Sequence, residues 1–344
     1  MDLAEGAARE PSAPAVLTAR SALVDGELRR SSRHASGLLG RMARYHMAWA
    51  DAAGRPAAAP AGKLLRPTLC LWACEVAGGD PARALPAAAA IEWLHNFTLV
   101  HDDIQDGDLQ RRHRPTVWTV FGSAQAINAG DGLFALGLVH LVGSGADPRR
   151  LRAASVITRA ILEVIEGQCL DLELQGRPQT APATYLRMAA AKTGALIGAS
   201  LEAGAVMGGA RTPLAARLRR AGRLLGTAFQ VRDDWLGCWG DPGRTGKSAD
   251  SDLARRKTTY PVVAAYAAAG PAQRRRLRSL FKETGPGSVP VIRALLQDLG
   301  GPLLTEDVPE RLAARARAVL EGALPSGRLA EYDEVAGFLV RRAR

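Results

Sequence analysis

Residues 85–106 have the sequence LPAAAAIEWLHNFTLVHDDIQD, an apolar run that ends in three aspartates. From Leu85 to His101 the run has no glycine, and its single proline comes at the start, so it predicts one long buried helix. A carboxylate at the C-terminal end of a helix meets the negative end of the helix dipole, and a buried carboxylate without a partner is costlier still. The run therefore predicts that cations neutralise Asp102, Asp103 and Asp106.

A second acidic pair, Asp233-Asp234, ends another apolar run and is followed by Trp235-Leu236-Gly237. Hard oxygen ligands of this kind suit Mg2+, which typically binds one or two carboxylates together with substrate phosphates. The alternative is a solvated helix end, because runs of aspartate are often surface features. Two such clusters with cationic motifs around them favour the metal site.

Helical geometry groups the polar residues of the first run on one stripe. At 100° per residue, the seven steps from His95 to Asp102 and the four from Asp102 to Asp106 return to one face. Leu99 falls near the same stripe. A histidine and two carboxylates on one face of an otherwise apolar helix indicate a shared polar environment.

The composition predicts one all-α domain. The chain has 344 residues, of which 47% are hydrophobic and 5% aromatic, and its abundant alanine favours closely packed helices. Alternating strand patterns are scarce, so the prediction is a helical bundle. Residues 1–17 are expected to be a disordered lead and 18–344 a single domain. Helices are expected at 18–52, 67–76, 85–106, 149–176, 182–209, 212–236 and 257–269, with further helical segments before 143.

The formal net charge of +11 comes mostly from arginine. The arginines are scattered rather than clustered with aromatic residues, so the charge favours anionic small substrates over nucleic acid. No signal peptide and no membrane span are apparent, which predicts a cytoplasmic protein. We expect all four cysteines to be buried, reduced thiols. They are Cys70, Cys74, Cys169 and Cys238.

Cationic residues lie close in sequence to both acidic clusters. Arginine forks and lysine point charges are the usual protein ligands of phosphate groups. Any one of these residues alone is more often an exposed surface charge, and their placement favours a binding role. They are Lys63 and Arg66 at a helix entrance, Arg111 and Arg112 after the first cluster, Lys192 in an alanine-rich helix, and Lys247 and Lys257 after the second cluster.

From about residue 62 to residue 261 the chain resembles the trans-isoprenyl diphosphate synthases, also called polyprenyl synthases. The resemblance implies the all-α isoprenoid synthase fold, a helical bundle around a central cavity, usually as a homodimer. The motifs that carry it are GKLLRP (62–67), EWLH (92–95), HDDIQD (101–106), RRHRPT (111–116), GQCLD (167–171), KTGAL (192–196), FQVRDD (229–234) and the segment 257–261.

The resemblance also implies roles for the matching residues. Asp102 and Asp106 would bind two Mg2+ ions, and Asp233, with Asp234 nearby, a third. Asp103 belongs with these catalytic residues. The allylic diphosphate would be bound by Arg111, Lys192, Lys257 and, more weakly, Lys247, and isopentenyl diphosphate by Lys63, Arg66, His95 and Arg112. Thr193 and Gln230 would face the reacting carbon. Gln168 and Asp171 would line the pocket and orient Lys192 or the metals.

The expected reaction follows from these charges. Metal ions and fixed cations would stabilise the pyrophosphate that leaves an allylic carbon, and the double bond of isopentenyl diphosphate would attack the resulting cation. The resemblance implies that released pyrophosphate takes the proton, and apolar helices would shield the cation from water. The second acidic motif departs from the family, because Gly237 stands where an aspartate is usual. Asp241 follows four residues later. The departure leaves in doubt the contact that the usual aspartate would make around the metals, but not the role of Asp233 as a metal ligand.

Product length in this family depends on bulk just before the first acidic motif. Phe97 and Thr98 precede Asp102 by five and four residues, which places them about 6–7.5 Å down the helix. A lone aromatic at the fifth position resembles geranylgeranyl diphosphate synthases, and Trp93, one turn deeper, would add to the floor. The sequence therefore favours a C20 product, with farnesyl or longer chains as alternatives. A terpene cyclase and a non-catalytic subunit of a heteromeric synthase are the other classes left open.

Overall fold

The computed structural model describes residues 13–57, 64–143, 147–240, 251–283 and 285–341, and these are almost entirely helical. The only strands among them are the two-residue pair Gln110–Arg111 and Arg114–Pro115. The α-helices are α1 (Ala15–Thr18), α2 (Ser21–Ser31), α3 (Gly37–His46), α4 (Leu65–Val76), α5 (Leu85–Gln105), α6 (Val117–Phe121), α7 (Ser123–Val142), α8 (Pro148–Leu174), α9 (Pro182–Ala189), α10 (Ala195–Met207), α11 (Thr212–Trp239), α12 (Ser251–Ala254), α13 (Tyr260–Ala268), α14 (Pro271–Lys282), α15 (Val289–Asp298), α16 (Gly301–Glu306), α17 (Val308–Leu320) and α18 (Ser326–Val340). The predicted all-α class is confirmed.

Helix α5 lies at the centre of the bundle, against α4 and α7. Its four alanines, residues 87–90, are fully buried, as are Trp93 and Leu94. Small side chains let neighbouring backbones approach closely; a Cβ at Gly204 of α10, for example, would lie 1.9 Å from the carbonyl oxygen of Cys70 in α4. Gly107, with φ of +65°, follows the capping Asp106 and ends α5. The acidic motif therefore occupies the last turn of the central helix.

The single helix predicted over residues 18–52 is wrong, because beyond the end of α1 at Thr18 the structure has two shorter α-helices there, α2 and α3. A 3₁₀ turn at Ser32–His34 and the extended backbone of Ala35 and Ser36 separate α2 from α3. Residues 1–12 of the predicted disordered lead lie outside the described residues, whereas Ala15–Thr18 is helical. Val16 and Leu17 are buried in the main core, and this burial holds the segment in place.

The prediction that every cysteine is buried is wrong for one of the four. All four are free thiols, and three of them are buried, whereas Cys169 on α8 is exposed. Burial raises the pKa of the Cys74 thiol to about 11. Among the described helices, none is both long enough and apolar enough to cross a bilayer.

Candidate active site

A cavity of about 1250 Å³ opens within the bundle, and both acidic motifs contribute to its wall. Helix α5 supplies one side of it through the predicted stripe, since His95, Leu99, Asp102 and Asp106 all line the cavity. Arg66 of α4, helices α8 to α11, residues 107–111 after α5 and the segment from Asp252 to Thr259 supply the rest. The stripe that helical geometry predicted is therefore confirmed.

Within the first motif, the middle aspartate points away from the cavity. Asp103 is only 1% exposed, and its Oδ1 accepts hydrogen bonds from Arg111 Nε at 2.8 Å and Nη2 at 2.6 Å. Burial opposes the charge of Arg111, but Asp103 outweighs it and raises the pKa of the guanidinium. Asp103 therefore holds Arg111 in the cavity wall, while its neighbours Asp102 and Asp106 line the cavity.

A short hairpin presents Arg111. Two residues, Arg112 and His113, connect its strands with left-handed φ angles of 51° and 60°. Such φ angles are unfavourable for residues other than glycine and are often found at functional sites. Arg112 is turned away from the main cavity, into a recess of about 30 Å³ that Tyr45 and His46 also line.

Burial and a neighbouring carboxylate disfavour the charged form of Asp102 in the cavity wall. Burial raises the pKa of Asp102, and the nearby charge of Asp106 raises it further, while Lys192 lowers it. Lys192 Nζ lies 2.6 Å from Asp171 Oδ2, and Lys257 Nζ lies 2.6 Å from Asp106 Oδ2. Burial opposes the charge of both lysines, but the aspartates outweigh it and raise their pKa values. This environment stabilises cations.

The two aspartates of the second motif have different surroundings. Asp233 lines the cavity. Asp234 is 6% exposed and accepts hydrogen bonds from the Tyr185 hydroxyl, from Tyr260 N at 2.8 Å and from Gln230 Nε2 at 3.0 Å. Burial raises its pKa to about 7, although the bonds from Tyr185 and Tyr260 oppose the shift. Asp234 therefore ties α11 to α9 and α13.

A π-helical turn at Ala190–Gly194 interrupts the predicted helix 182–209 and carries Lys192 and Thr193 into the cavity wall. Such turns are rare and often occur at functional sites. Only glycine fits at residue 167 of α8, because a Cβ there would lie 2.3 Å from the backbone N of Lys192. Thr193 Oγ1 donates to Gln230 Oε1 at 2.6 Å, which joins the turn to α11.

The basic residues predicted for a second substrate are only partly brought together. Arg66 Nη1 lies 3.1 Å from His95 Nε2, and both residues line the cavity. Burial lowers the pKa of His95 well below its usual value, and Arg66 lowers it further, so the imidazole is neutral. Arg112 lies in the separate recess. Lys63 and Lys247, like Gly62 and Asp241, lie outside the described residues.

Several residues at the site were missed by sequence reasoning. Gln105 accepts from Gln168 Nε2 at 2.7 Å, and Glu92 is buried near Arg66, where it accepts from Asn96 Nδ2 at 3.0 Å. Asp252 and Arg255 line the cavity from α12 and the turn after it, and Arg255 pairs with Asp108. The charged run at 250–257 was the only sequence signal for the last pair.

Oxygen donors for a metal are present but not preassembled. Among the described residues, no three His, Cys, Asp or Glu side chains converge closely enough to form a metal site by themselves. Asp102, Asp106 and Asp233 line one cavity and offer carboxylate oxygens. Oxygens of this kind suit Mg2+, which ordinarily keeps waters and substrate phosphates among its ligands.

Comparisons with known proteins identify the family. The Polyprenyl synthetase family model matches residues 47–299. The chain is 46% identical to the (2E,6E)-farnesyl diphosphate synthase of Mycobacterium tuberculosis (strain ATCC 25618 / H37Rv) over 70% of this chain and 67% of that one. It is also 46% identical to the geranylgeranyl diphosphate synthase of the same strain, over 66% and 65% of the two chains. The matched segments thus span about two thirds of these relatives.

A solved structure extends the similarity to nearly the whole chain. The polyprenyl synthetase from Streptomyces coelicolor A3(2) superposes with a TM-score of 0.87 at 38% identity, covering 95% of this chain and 99% of that one. The chain therefore belongs to the polyprenyl synthetase family of trans-isoprenyl diphosphate synthases, and it is a trans-prenyltransferase. The family resemblance drawn from its motifs is confirmed.

Proposed function

We propose that the chain condenses isopentenyl diphosphate with an allylic diphosphate and that its principal product is geranylgeranyl diphosphate (C20). The observation that carries the proposal is a single cavity with two acidic motifs and several buried cations in its polar wall and apolar side chains in the rest. Relatives named as farnesyl and as geranylgeranyl synthases are equally similar, so they do not distinguish product length.

The allylic diphosphate binds between the two acidic motifs. The donor set fits Mg2+, because Asp102, Asp106 and Asp233 line the cavity and offer hard oxygens. The negative charge of Asp106 also disfavours the charged form of Asp102, and a bound cation would relieve this repulsion. Three bound ions would neutralise the diphosphate and stabilise the charge of the leaving group. Arg111, Lys192 and Lys257, with Lys247 as a weaker candidate, contribute fixed positive charge to the same group.

Isopentenyl diphosphate binds on the side of Arg66 and His95. Glu92 lies beneath them, and its charge supports the protonated state of buried Arg66. A neutral His95 offers one N–H donor without adding repulsion to the cluster of arginines. Lys63 and Arg112 complete this set in the proposal, with Arg112 turning from its recess towards the ligand.

In the reaction, the allylic carbon–oxygen bond breaks and its electron pair leaves with pyrophosphate. The double bond of isopentenyl diphosphate attacks the allylic cation, a carbon–carbon bond forms, and released pyrophosphate takes the proton. Thr193 and Gln230 hold each other beside the reacting carbon. Leu172, Leu196 and Phe229 provide apolar wall that excludes water from the cation.

Product length depends on Phe97 in this proposal. Phe97 is 8% exposed, lines the cavity and is fixed by edge-to-face contacts with His101 and Phe134, at centroid distances of 5.0 Å and 5.4 Å. Trp93 is fully buried, and its Nε1 donates to Ser31 Oγ at 2.8 Å, so it supports the wall from behind. Thr98 lines the cavity beside Phe97.

A homodimer is part of the proposal, as is a cytoplasmic location. Helices α7 and α8 carry exposed apolar side chains, among them Ile127, Val139, Leu162 and Ile165. Exposed apolar residues on long helices favour burial against a second copy of the chain. Light scattering of the purified chain would measure its mass directly, and a monomer would contradict this part.

Product analysis tests the function itself. Purified chain is incubated with Mg2+, isopentenyl diphosphate and dimethylallyl, geranyl or farnesyl diphosphate in turn, and chain lengths are measured. We expect C20 as the principal product. A C15 or longer product would overturn the assigned length, and consumption of an allylic substrate without isopentenyl diphosphate would indicate a cyclase. No turnover with any primer would favour the non-catalytic subunit.

A further inference from the structure

Gly237 and Asp252 are in close contact across the second acidic motif. A Cβ built on Gly237 would lie 2.7 Å from Asp252 Oδ2 and 3.6 Å from its Cγ. Both residues line the main cavity, Gly237 from α11 and Asp252 from α12. The Asp252 carboxylate therefore occupies the space that any side chain at residue 237 would enter.

The position of this carboxylate relative to Asp233 is set by helix geometry. Gly237 follows Asp233 by four residues on α11, so the two lie one turn apart on the same face. A carboxylate in contact with Gly237 is thus placed one turn beyond Asp233, where an aspartate at residue 237 would project. Asp252 reaches this place from a different helix.

Two further contacts hold Asp252 there. Leu253, its neighbour in sequence, is fully buried in an apolar cluster with Cys238 and Val262. The backbone carbonyl of Asp252 accepts from Lys257 N at 2.9 Å, which closes the turn after α12. The segment is therefore anchored by packing and by a backbone hydrogen bond, and the carboxylate faces the cavity from a fixed support.

We infer that Asp252 supplies the carboxylate that the second acidic motif lacks, and that glycine at residue 237 provides the room for it. The inference rests on the proposed Mg2+-dependent function. The negative charge of Asp252 would favour the binding of Mg2+ beside Asp233. Outer partners of this kind typically contribute 10- to 100-fold in metal affinity.

The electrostatics of the surrounding residues agree with this role. Burial raises the pKa of Asp234, and the charge of Asp252 contributes to the same shift. Asp252 also supports the positive charge of Lys257, second to Asp106. Asp252 thus acts electrostatically on Asp234 of the second motif and on Lys257, the hydrogen-bond partner of Asp106.

Five variants, one of them the double variant Asp252→Asn/Gly237→Ala, are compared by calorimetric titration of Mg2+ in the presence of pyrophosphate. Asp252→Asn removes the charge and keeps the shape. Gly237→Ala displaces the carboxylate, and the fold tolerates it because the atom it meets is the end of a flexible side chain. Asp252→Gly combined with Gly237→Asp moves the carboxylate to residue 237. Asp298→Asn on α15, which is exposed, is the matched control.

We expect Asp252→Asn to weaken Mg2+ binding about 10- to 100-fold. Gly237→Ala should give a similar loss, and the two changes together should lose no more than either alone, because both remove one carboxylate. The transferred carboxylate should restore binding. Thermal unfolding without Mg2+ should leave each variant near the wild type, which separates loss of binding from loss of folding.

Three results would overturn the inference: unchanged binding by Asp252→Asn, losses that multiply in the double variant, or a transferred carboxylate that binds no better than Asp252→Asn. A different result would contradict the proposed function itself. If the wild-type chain binds no Mg2+ with pyrophosphate, the metal-dependent function is wrong. If the wild type binds and Asp252→Asn matches it, only the role of Asp252 is wrong.

Discussion

Lys257 Nζ donates to Asp106 Oδ2 at 2.6 Å, and the two residues are 151 positions apart in sequence. The contact joins the end of the first acidic motif to the segment that follows the second. Under the proposed function, a metal ion that takes Asp106 as a ligand would displace this ammonium group, which would then be available to the diphosphate. One lysine would thus balance the carboxylate before binding and the phosphate after it.

Lys257→Ala should separate these two roles. Mg2+ alone should bind more tightly, because Asp106 loses its competing ammonium group. The KM for the allylic diphosphate should rise by about 10- to 100-fold, the value of one charge-assisted hydrogen bond. Calorimetry and steady-state kinetics measure the two effects, with exposed Lys282→Ala as the control. Weaker Mg2+ binding without diphosphate would contradict the exchange.

Asp102→Ala should reduce turnover by several orders of magnitude, beyond the roughly 10²- to 10³-fold effect of removing one preorganised donor. The carboxylate lines the cavity, so the fold should remain intact and thermal unfolding should be little changed. Exposed Asp298→Ala is the matched control. Near-normal turnover by Asp102→Ala would remove the residue from the metal assignment.

Phe97→Ala should lengthen the product beyond C20, because the ring between His101 and Phe134 closes part of the cavity wall. Chain-length analysis of the products measures the shift. Phe281→Ala on α14 is the matched control, since it removes a buried ring from a different cluster that does not line the cavity. An unchanged distribution for Phe97→Ala would show that another residue limits the chain.

Tyr185→Phe should lower the free energy of unfolding by about 1–3 kcal/mol, because buried Asp234 loses a hydrogen bond. Denaturant unfolding measures the change. Tyr332→Phe is the matched control, since the Tyr332 hydroxyl is buried and has no hydrogen-bond partner among the described residues. Removing it should leave stability unchanged or raise it. Equal losses in the two variants would contradict the role of the Asp234 contact.

His46 predicts a pH dependence of stability. Burial lowers its pKa to about 3, and Arg111, Arg112 and Arg114 add to the shift, although Asn96 accepts a hydrogen bond from the ring. As the pH drops below about 6.5, the unfolded chain therefore gains a proton that the folded chain does not. The free energy of unfolding then decreases by up to about 1.4 kcal/mol for each pH unit of acidification.

His46→Gln should remove this contribution. Between pH 7 and pH 5 the variant should lose less unfolding free energy than the wild type, as denaturant titration at each pH would measure. His95 also faces His46 and keeps its own contribution in both proteins. Exposed His113→Gln serves as the control. A slope identical to that of the wild type would show that His46 is protonated in the folded chain.

The sequence predicted the parts of the site that depend on helix periodicity. The stripe on α5 needs only the 100° step between residues, and the acidic motifs stand out because carboxylates at helix ends are unfavourable. The π turn at Lys192 was missed, since it depends on the close approach of Gly167 from another helix. Asp252 was missed for the same reason, because its contact with Gly237 exists only in three dimensions.

Cys169 gives the chain a chemical handle. All four cysteines lie in described parts of the chain, and Cys169 alone is exposed, on the wall of the cavity. A thiol-reactive fluorophore should therefore attach at one position without any engineering, because the other three thiols are buried. Protection of that thiol by a bound diphosphate would report occupancy of the cavity in real time, independently of turnover.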